Sequence, residues 1–267
     1  TTASTGCSCC GCSGLMNDVS DLDILLLAAD IADRESMLAW RRDDLDVEVK
    51  PDGSPVSAAD KLIERLLREL LAEHRPGDRV LGEEEGDTGT GARCWVLDPI
   101  DGTESFVAGR RAWGSLIALE VDGQPVAGMV TMPALGRRWW GTHGGGAFHT
   151  PEPGAAPAAI AVDTESGADA IRWSSGPIVD ELDDDERERI ARFAELGTYL
   201  PMSEWTTYPA LMVAEGSLDL AVHFGMHWDH AALAGVVSAA GGAVAYDEPA
   251  DDGRRFAATF TNGRVNV

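Results

Sequence analysis

The sequence predicts a layered sandwich of strands and helices, of the α/β or α+β class, and three observations carry that expectation. Apolar stripes at helical spacing alternate with short apolar strands along most of the chain. Its 267 residues, 44% hydrophobic and 25% charged, suffice to bury a sizeable core as one domain or two closely packed ones. No internal repeat divides it.

Residues 1–15 hold four of the five cysteines, ahead of any periodic pattern. Tight cysteine clusters can bind soft metals, but no second cluster or His pair completes a zinc site, so this stretch reads as a tag or disordered extension. Asp21 to Trp40 carries Leu22, Leu25, Leu26, Ala29, Ala32 and Met37 at helical spacing. Asp44 to Lys50 alternates like a strand, and Pro51-Asp52-Gly53-Ser54-Pro55 reads as a turn. A second helix runs from about Ser57 to His74, where the imidazole suits the helix dipole, and Arg75-Pro76-Gly77 ends it.

Two apolar strands then end in acid. Arg79 to Gly82 runs into Glu83-Glu84-Glu85, and after a Gly/Thr loop Cys94 to Leu97 runs into Asp98-Pro99-Ile100-Asp101-Gly102-Thr103. Cys94 reads as a buried small hydrophobe. Ser115 to Val121 and Pro125 to Met132 form a hairpin through Asp122-Gly123. Trp139 and Trp140 belong to core or interface and lead to a boundary after the glycines 141–146. Residues 16–150 thus form an N-terminal α+β part, and 151–267 a second part opening on a Pro/Ala-rich linker. That second part holds a charged helix from Asp180 to Leu196 and a helix from Tyr208 to Glu215. A strand from Leu218 to His223 and a last helix from Trp228 to Ala240 follow.

The formal net charge of −24 repels nucleic acid and anionic membranes and attracts cations. The longest apolar run, Ile24 to Ala29, is far short of the ~20 residues that span a bilayer. No basic segment followed by an apolar one opens the sequence, so the expected location is cytoplasmic.

Carboxylates converging at strand ends repel one another unless cations bind between them. An oxygen-rich site of this kind suits Mg²⁺, which keeps some waters and is shared with phosphate. Taken singly, an Asp-Pro turn and a solvated Glu run would explain each cluster without chemistry. The whole string, with Gly82-Glu83-Glu84 some fifteen residues before it, points to a site.

The segment from Trp95 through Asp98-Pro99-Ile100-Asp101-Gly102-Thr103 to Phe106 resembles the signature of the inositol monophosphatase superfamily. Trp228-Asp229-x-Ala231-Ala232, running to Gly241-Gly242, is similar to the second signature. Pro55-Val56-Ser57-x-x-Asp60 and Gly82-Glu83-Glu84 match the two remaining motifs, so the resemblance covers residues 17–267 in order. It implies an α+β fold, a layered αβαβα sandwich, and a metal-dependent phosphoric monoester hydrolase, commonly a homodimer.

By resemblance, Glu83, Asp98 and the Ile100 carbonyl hold one Mg²⁺, and Asp98, Asp101 and Asp229 a second. A third, looser ion sits near Asp60 and Glu83. Thr103, polarised by Asp60, orients the attacking water, and the amides of Gly102 and Thr103 bind phosphate oxygens. No covalent phosphoenzyme is expected.

Ser115–Leu119 and Pro133–Trp140 are most similar to actinobacterial histidinol-phosphate phosphatases of histidine biosynthesis. Histidinol phosphate is therefore the leading substrate, beside inositol or another sugar monophosphate. Those enzymes usually place a carboxylate six or seven residues before the Trp-Asp aspartate, where His223 stands here; Glu204 is the substitute amine-binding acid. A nucleotide 3′-phosphatase would need a basic pocket, for which only Arg110-Arg111 and Arg137-Arg138 offer pairs. A silent metal-binding scaffold is the non-enzyme alternative. His227 and His230 flank Asp229 too closely to share one metal easily, which argues against zinc.

Overall fold

Reciprocal capping boxes start the first two helices. Ser20 and Asp23 exchange side-chain and backbone hydrogen bonds, each amide contact 3.1 Å, to open helix α1 (Asp21–Ala39). A computed structural model describes residues 19–42, 44–50, 53, 55–165, 171–176, 182–202, 207–247 and 256–265. The cysteine-rich stretch 1–15 and Glu204 lie outside the described residues.

Strands β1 (Val47–Val49) and β2 (Pro55–Ser57) pair antiparallel, so Pro55, expected in a turn, begins a strand instead. Pro is tolerated there because it is the first residue of a two-stranded ribbon. Ser57 and Asp60 repeat the capping box at the start of α2 (Ala58–His74). Next come β3 (Arg79–Gly82), β4 (Gly86–Thr88), β5 (Arg93–Asp101) and α3 (Thr103–Val107). The loop expected at 86–91 thus starts as a short edge strand. Strands β6 (Gly114–Val121) and β7 (Gln124–Met132) meet at Asp122 and Gly123, both at positive φ (52° and 72°), as a tight two-residue hairpin requires. Strands β8 (Arg137–Thr142), β9 (Gly146–Thr150) and β10 (Ala158–Ile160) complete a sheet ordered β10-β9-β8-β7-β6-β5-β3-β4. Only the β3–β5 pair in it is parallel.

The second half supplies β11 (Ile171–Gly176), α4 (Asp184–Ala191), β12 (Gly197–Tyr199), α5 (Pro209–Ala214), β13 (Leu220–Gly225), α6 (His227–Ala239), β14 (Ala243–Tyr246) and β15 (Phe256–Thr261). A second sheet is ordered β12-β11-β13-β15-β14. Helix α4 is shorter than the expected Asp180–Leu196 at its far end. After Ala191 the chain tightens into three-residue turns as Phe193 enters the core at 2% exposure.

Three hydrophobic clusters define the layers. Trp95, Leu97, Ile117, Leu119 and Met129 face α1 and α2. Val96, Leu116, Ala118 and Val130, on the opposite parity of the same strands, face α5 and α6. The far side of α6 meets Ala221, Ala258 and Phe260 of the second sheet, whose outer face carries Leu220, Val222 and Phe224 toward Ile190 of α4. The order is helix, sheet, helix, sheet, helix: the αβαβα sandwich expected from the sequence. Each fully buried large side chain contributes roughly 1.5–3 kcal/mol of transfer free energy. Among the described residues, no helix is long and apolar enough to cross a membrane.

Helix α6 crosses the first sheet almost backbone to backbone, because small residues meet there. A Cβ on Gly235 would fall 2.5 Å from Ala127 and Gly128, and one on Gly141 2.5 Å from Ala239. This close crossing brings the N-terminus of α6 over β5, where the site lies.

Candidate active site

The site begins where β5 stops being regular. Its pairing with β6 holds from Arg93 to Asp98, slips, and resumes at Asp101 opposite Gly114. Pro99 has no N–H to give the ladder, and its carbonyl takes the Ser115 hydroxyl at 2.6 Å instead. The slip turns Asp98 and Asp101 toward one place. Gly102 then adopts a left-handed conformation (φ 78°, ψ 38°) that starts α3, pressed so close to Ala112 that a Cβ would lie 3.0 Å from its carbonyl oxygen.

Asp229, in the first turn of α6, completes the cluster. Its Oδ2 accepts the Met226 amide at 2.7 Å, which fixes the carboxylate at the helix entry. Gly225 is required beneath it, since a Cβ there would lie 2.4 Å from that oxygen. One carboxylate oxygen each from Asp98, Asp101 and Asp229 lie within 4.8 Å of one another.

Glu83 follows β3, its amide bonded to the Leu97 carbonyl at 3.1 Å. Lys50 reaches over from the end of β1 and bridges Glu83 and Glu84 at 2.7 and 2.8 Å. The turn itself is clamped from below. Glu64 of α2, fully buried, accepts the amides of Glu84 and Glu85 at 2.7 and 3.0 Å and pairs with Arg68 at 2.8 Å. Thr103 donates to Asp60 Oδ1 at 3.2 Å and to the Ile100 carbonyl at 2.9 Å, while Asp60 Oδ2 takes the Ser57 amide at 2.9 Å. Burial and the nearby Glu83 charge raise the Asp60 carboxyl, against hydrogen bonds from Ser57.

The electrostatics of the cluster are strained. Burial first, then the charges of Glu83, Asp101 and Asp229, push the Asp98 carboxyl well above the ordinary range. Asp229 is raised for the same reasons, with Asp101 its main repulsive neighbour. Burial pushes Asp101 up to about 6, moderated by the hydroxyl of Tyr208, which donates to its Oδ2 at 2.5 Å. Glu84 is pushed up to about 7 by burial, despite Lys50. Among the described residues no Lys, Arg or His forms an ion pair with Asp98, Asp101 or Asp229, and Asp98 Oδ1 is buried without a hydrogen-bond partner. Hard oxygen donors, mutual repulsion and an orphaned carboxylate oxygen together fit a hard divalent cation.

Other expected residues take different places. His223, 7% exposed, packs its ring edge-on to Tyr208 and His230. His227 turns to Glu120 at 3.0 Å, and His230 packs against Phe256, so neither imidazole joins the three carboxylates. The arginine pairs are engaged within the fold: Arg138 with Asp30 and Asp33, Arg137 over the Trp139 ring, Arg111 on the Ala134 carbonyl and Arg110 near Glu104. Lys50, Glu64 and Tyr208 were not singled out by sequence reasoning, although Lys50 stands in a polar strand end beside a turn and so carried a weak signal.

The profile of the Inositol monophosphatase family matches residues 21–256. The chain is 38% identical to a histidinol-phosphatase of Streptomyces coelicolor over 93% of its own length and 94% of the relative's. It is 37% identical to a histidinol-phosphatase of Mycobacterium tuberculosis, covering 92% and 95%. Among solved structures, an inositol monophosphatase from Zymomonas mobilis superposes with a TM-score of 0.68 at 29% identity, over 91% of this chain and 93% of that one.

Proposed function

Because the chain belongs to the inositol monophosphatase family and is a phosphomonoesterase, we propose that it hydrolyses a small phosphorylated metabolite with Mg²⁺ held by the converging carboxylates. The observation that carries this reading is the meeting of Asp98, Asp101 and Asp229 with no cationic side chain from the described residues paired to them and one oxygen left orphaned. Glu83, Asp98 and the Ile100 carbonyl would hold one ion, Asp98, Asp101 and Asp229 a second, and Asp60 with Glu83 a third. Bound there, Mg²⁺ neutralises the phosphoryl group and acidifies water.

The chain's own groups do the rest. The single Thr103 proton is shared between Asp60 and the Ile100 carbonyl, so the oxygen lone pairs are left to accept from and orient the attacking water. The Gly102 and Thr103 amides, at the head of α3, hold phosphate oxygens. Lys50 offsets the Glu83 and Glu84 charges at the rim. No side-chain nucleophile is used.

Histidinol phosphate leads as substrate, supported by the two relatives of that activity. In this reading Glu204 binds the amine and His223 a further polar group of the substrate; an unchanged rate on histidinol phosphate in Glu204→Ala sinks the role of Glu204. A cytoplasmic homodimer belongs to the same proposal, with sedimentation as the check on the dimer.

The deciding assay is phosphate release from histidinol phosphate, inositol phosphates and adenosine bisphosphate, with Mg²⁺, with EDTA, and with Asp98→Asn. Release that needs both Mg²⁺ and Asp98 is expected. Release undiminished by EDTA would overturn the metal mechanism.

A further inference from the structure

Tyr208 has one polar group, and it is spent on Asp101. The residue is 2% exposed and caps α5, where Pro209 follows it and fixes the backbone. Its ring is held edge-on against His223. Its hydroxyl donates to Asp101 Oδ2, across 107 residues of sequence. The other contributors to the carboxylate cluster are held differently: Asp229 by a backbone amide, and Asp98 with an oxygen left unpartnered. Asp101 is anchored instead by a neutral hydroxyl donor that another element delivers.

We propose that Tyr208 is a positioning residue that makes the site selective for Mg²⁺ over Ca²⁺ by holding Asp101 to single-oxygen coordination. The inference rests on the proposed Mg²⁺ site. With Oδ2 tied to the hydroxyl of a buried ring, turning the carboxylate to present both oxygens to one ion pulls Oδ2 away from that donor. Mg²⁺ loses nothing by this, since its small octahedral shell takes carboxylates through one oxygen. Ca²⁺ is larger, prefers six to eight oxygens and gains from two-oxygen carboxylates. Tyr208 thus withholds a ligand atom that Ca²⁺ would use and Mg²⁺ would not. Groups that orient metal ligands from behind commonly change metal affinity about 10- to 100-fold when removed.

The test is calorimetric titration of the metal-free protein with Mg²⁺ and, separately, Ca²⁺, for wild type, Tyr208→Phe and Tyr208→Gln, without substrate. Phe keeps the ring packing and removes only the hydroxyl; Gln keeps a donor. The expected result for Tyr208→Phe is a Ca²⁺-to-Mg²⁺ affinity ratio raised by about 10-fold, mainly through tighter Ca²⁺ binding. Gln should bring it back toward wild type. Equal weakening of both ions in Tyr208→Phe is what a merely structural role predicts, and it would overturn the proposal, as would an unchanged ratio. Wild type that binds neither ion would overturn the Mg²⁺ reading as well, which separates the two failures. Tyrosine difference absorbance of the wild type gives a check that needs no folded variant. Ca²⁺ should perturb the Tyr208 band and Mg²⁺ should not; identical spectra with the two ions count against the proposal.

Discussion

A Cβ on Gly128 of β7 would lie 2.1 Å from the carbonyl oxygen of Ala232 in α6, so at this point sheet and helix meet backbone to backbone. That contact sets the height of α6 above β5, and with it the reach of Asp229 to Asp98. Gly128→Ala must therefore push helix from sheet. The expected cost is about 1–3 kcal/mol of stability, with weaker Mg²⁺ binding beside it. Gly77→Ala, where a Cβ meets nothing within 4 Å, should change neither. Thermal unfolding with and without Mg²⁺ compares the two.

Asp98 is the most crowded of the carboxylates, and in the metal-free protein its charge works against the fold. Asp98→Asn should abolish phosphate release, by about a thousandfold or more. It should also remove the rise in melting temperature that Mg²⁺ gives the wild type. In EDTA, however, the variant should melt no lower than wild type, because a repelling charge has gone. A variant that is destabilised in EDTA would mean that Asp98 serves the fold rather than the ion.

The raised carboxyls make a signed pH prediction. A carboxyl whose folded pKa lies above its unfolded value stabilises the fold below the unfolded pKa, and that stability is lost as pH rises through the folded one. For Asp101 the window runs from about 4, the ordinary aspartate value, to about 6, and for Glu84 it reaches about 7. Metal-free protein should thus melt about 2–4 °C higher at pH 5.5 than at pH 7.5. Saturating Mg²⁺ should reverse the order, since the ion binds the deprotonated groups. Calorimetric scans at the two pH values, with EDTA and with Mg²⁺, decide it.

Thr103 separates water positioning from metal binding. Its hydroxyl contacts Asp60 and the Ile100 carbonyl, and no contact with Asp98, Asp101 or Asp229 is needed for that role. Thr103→Ala should lower kcat about 100-fold, with Mg²⁺ affinity falling by less, since the hydroxyl touches Asp60 and the Ile100 carbonyl but none of the three converging carboxylates. Steady-state kinetics and metal titration of the same preparation check both halves.

What was legible in the sequence follows from how each signal is written. The capped helices α1 and α2 announce themselves through Ser20, Ser57 and their apolar stripes, and the Asp122-Gly123 hairpin through turn chemistry. Asp98, Asp101 and Asp229 stand in local strings that carry their own meaning. Strands β11 and β15 do not, because both faces are covered by helices and no polar alternation marks them. Lys50 and Tyr208 were hidden for another reason. Lys50 meets Glu83 from 33 residues away and Tyr208 meets Asp101 from 107, so their roles exist only once the layers have packed.

Glu64 gives the last prediction, because it supports the site without belonging to it. Its carboxylate is fully buried, accepts two successive amides of the Glu83-Glu84-Glu85 turn, and is paired with Arg68. Gly82 packs directly on it: a Cβ there would lie 2.1 Å from Glu64 Oε1. Glu64→Ala therefore leaves two amides without their acceptor in a closed space and strips Arg68 of its buried carboxylate, leaving it the Gly86 carbonyl and the Thr88 hydroxyl. The expected loss is about 3–5 kcal/mol, the usual result of breaking a buried pair from one side. Glu64→Gln keeps an oxygen for one amide and should lose less, about 1–3 kcal/mol. In both variants the turn that follows Glu83 is held less firmly, so Mg²⁺ affinity should fall in the same order as stability. Urea unfolding and Mg²⁺ titration of the pair test that ordering, and a Gln variant with normal stability but lost metal binding would show that Glu64 acts on the ion rather than through the turn.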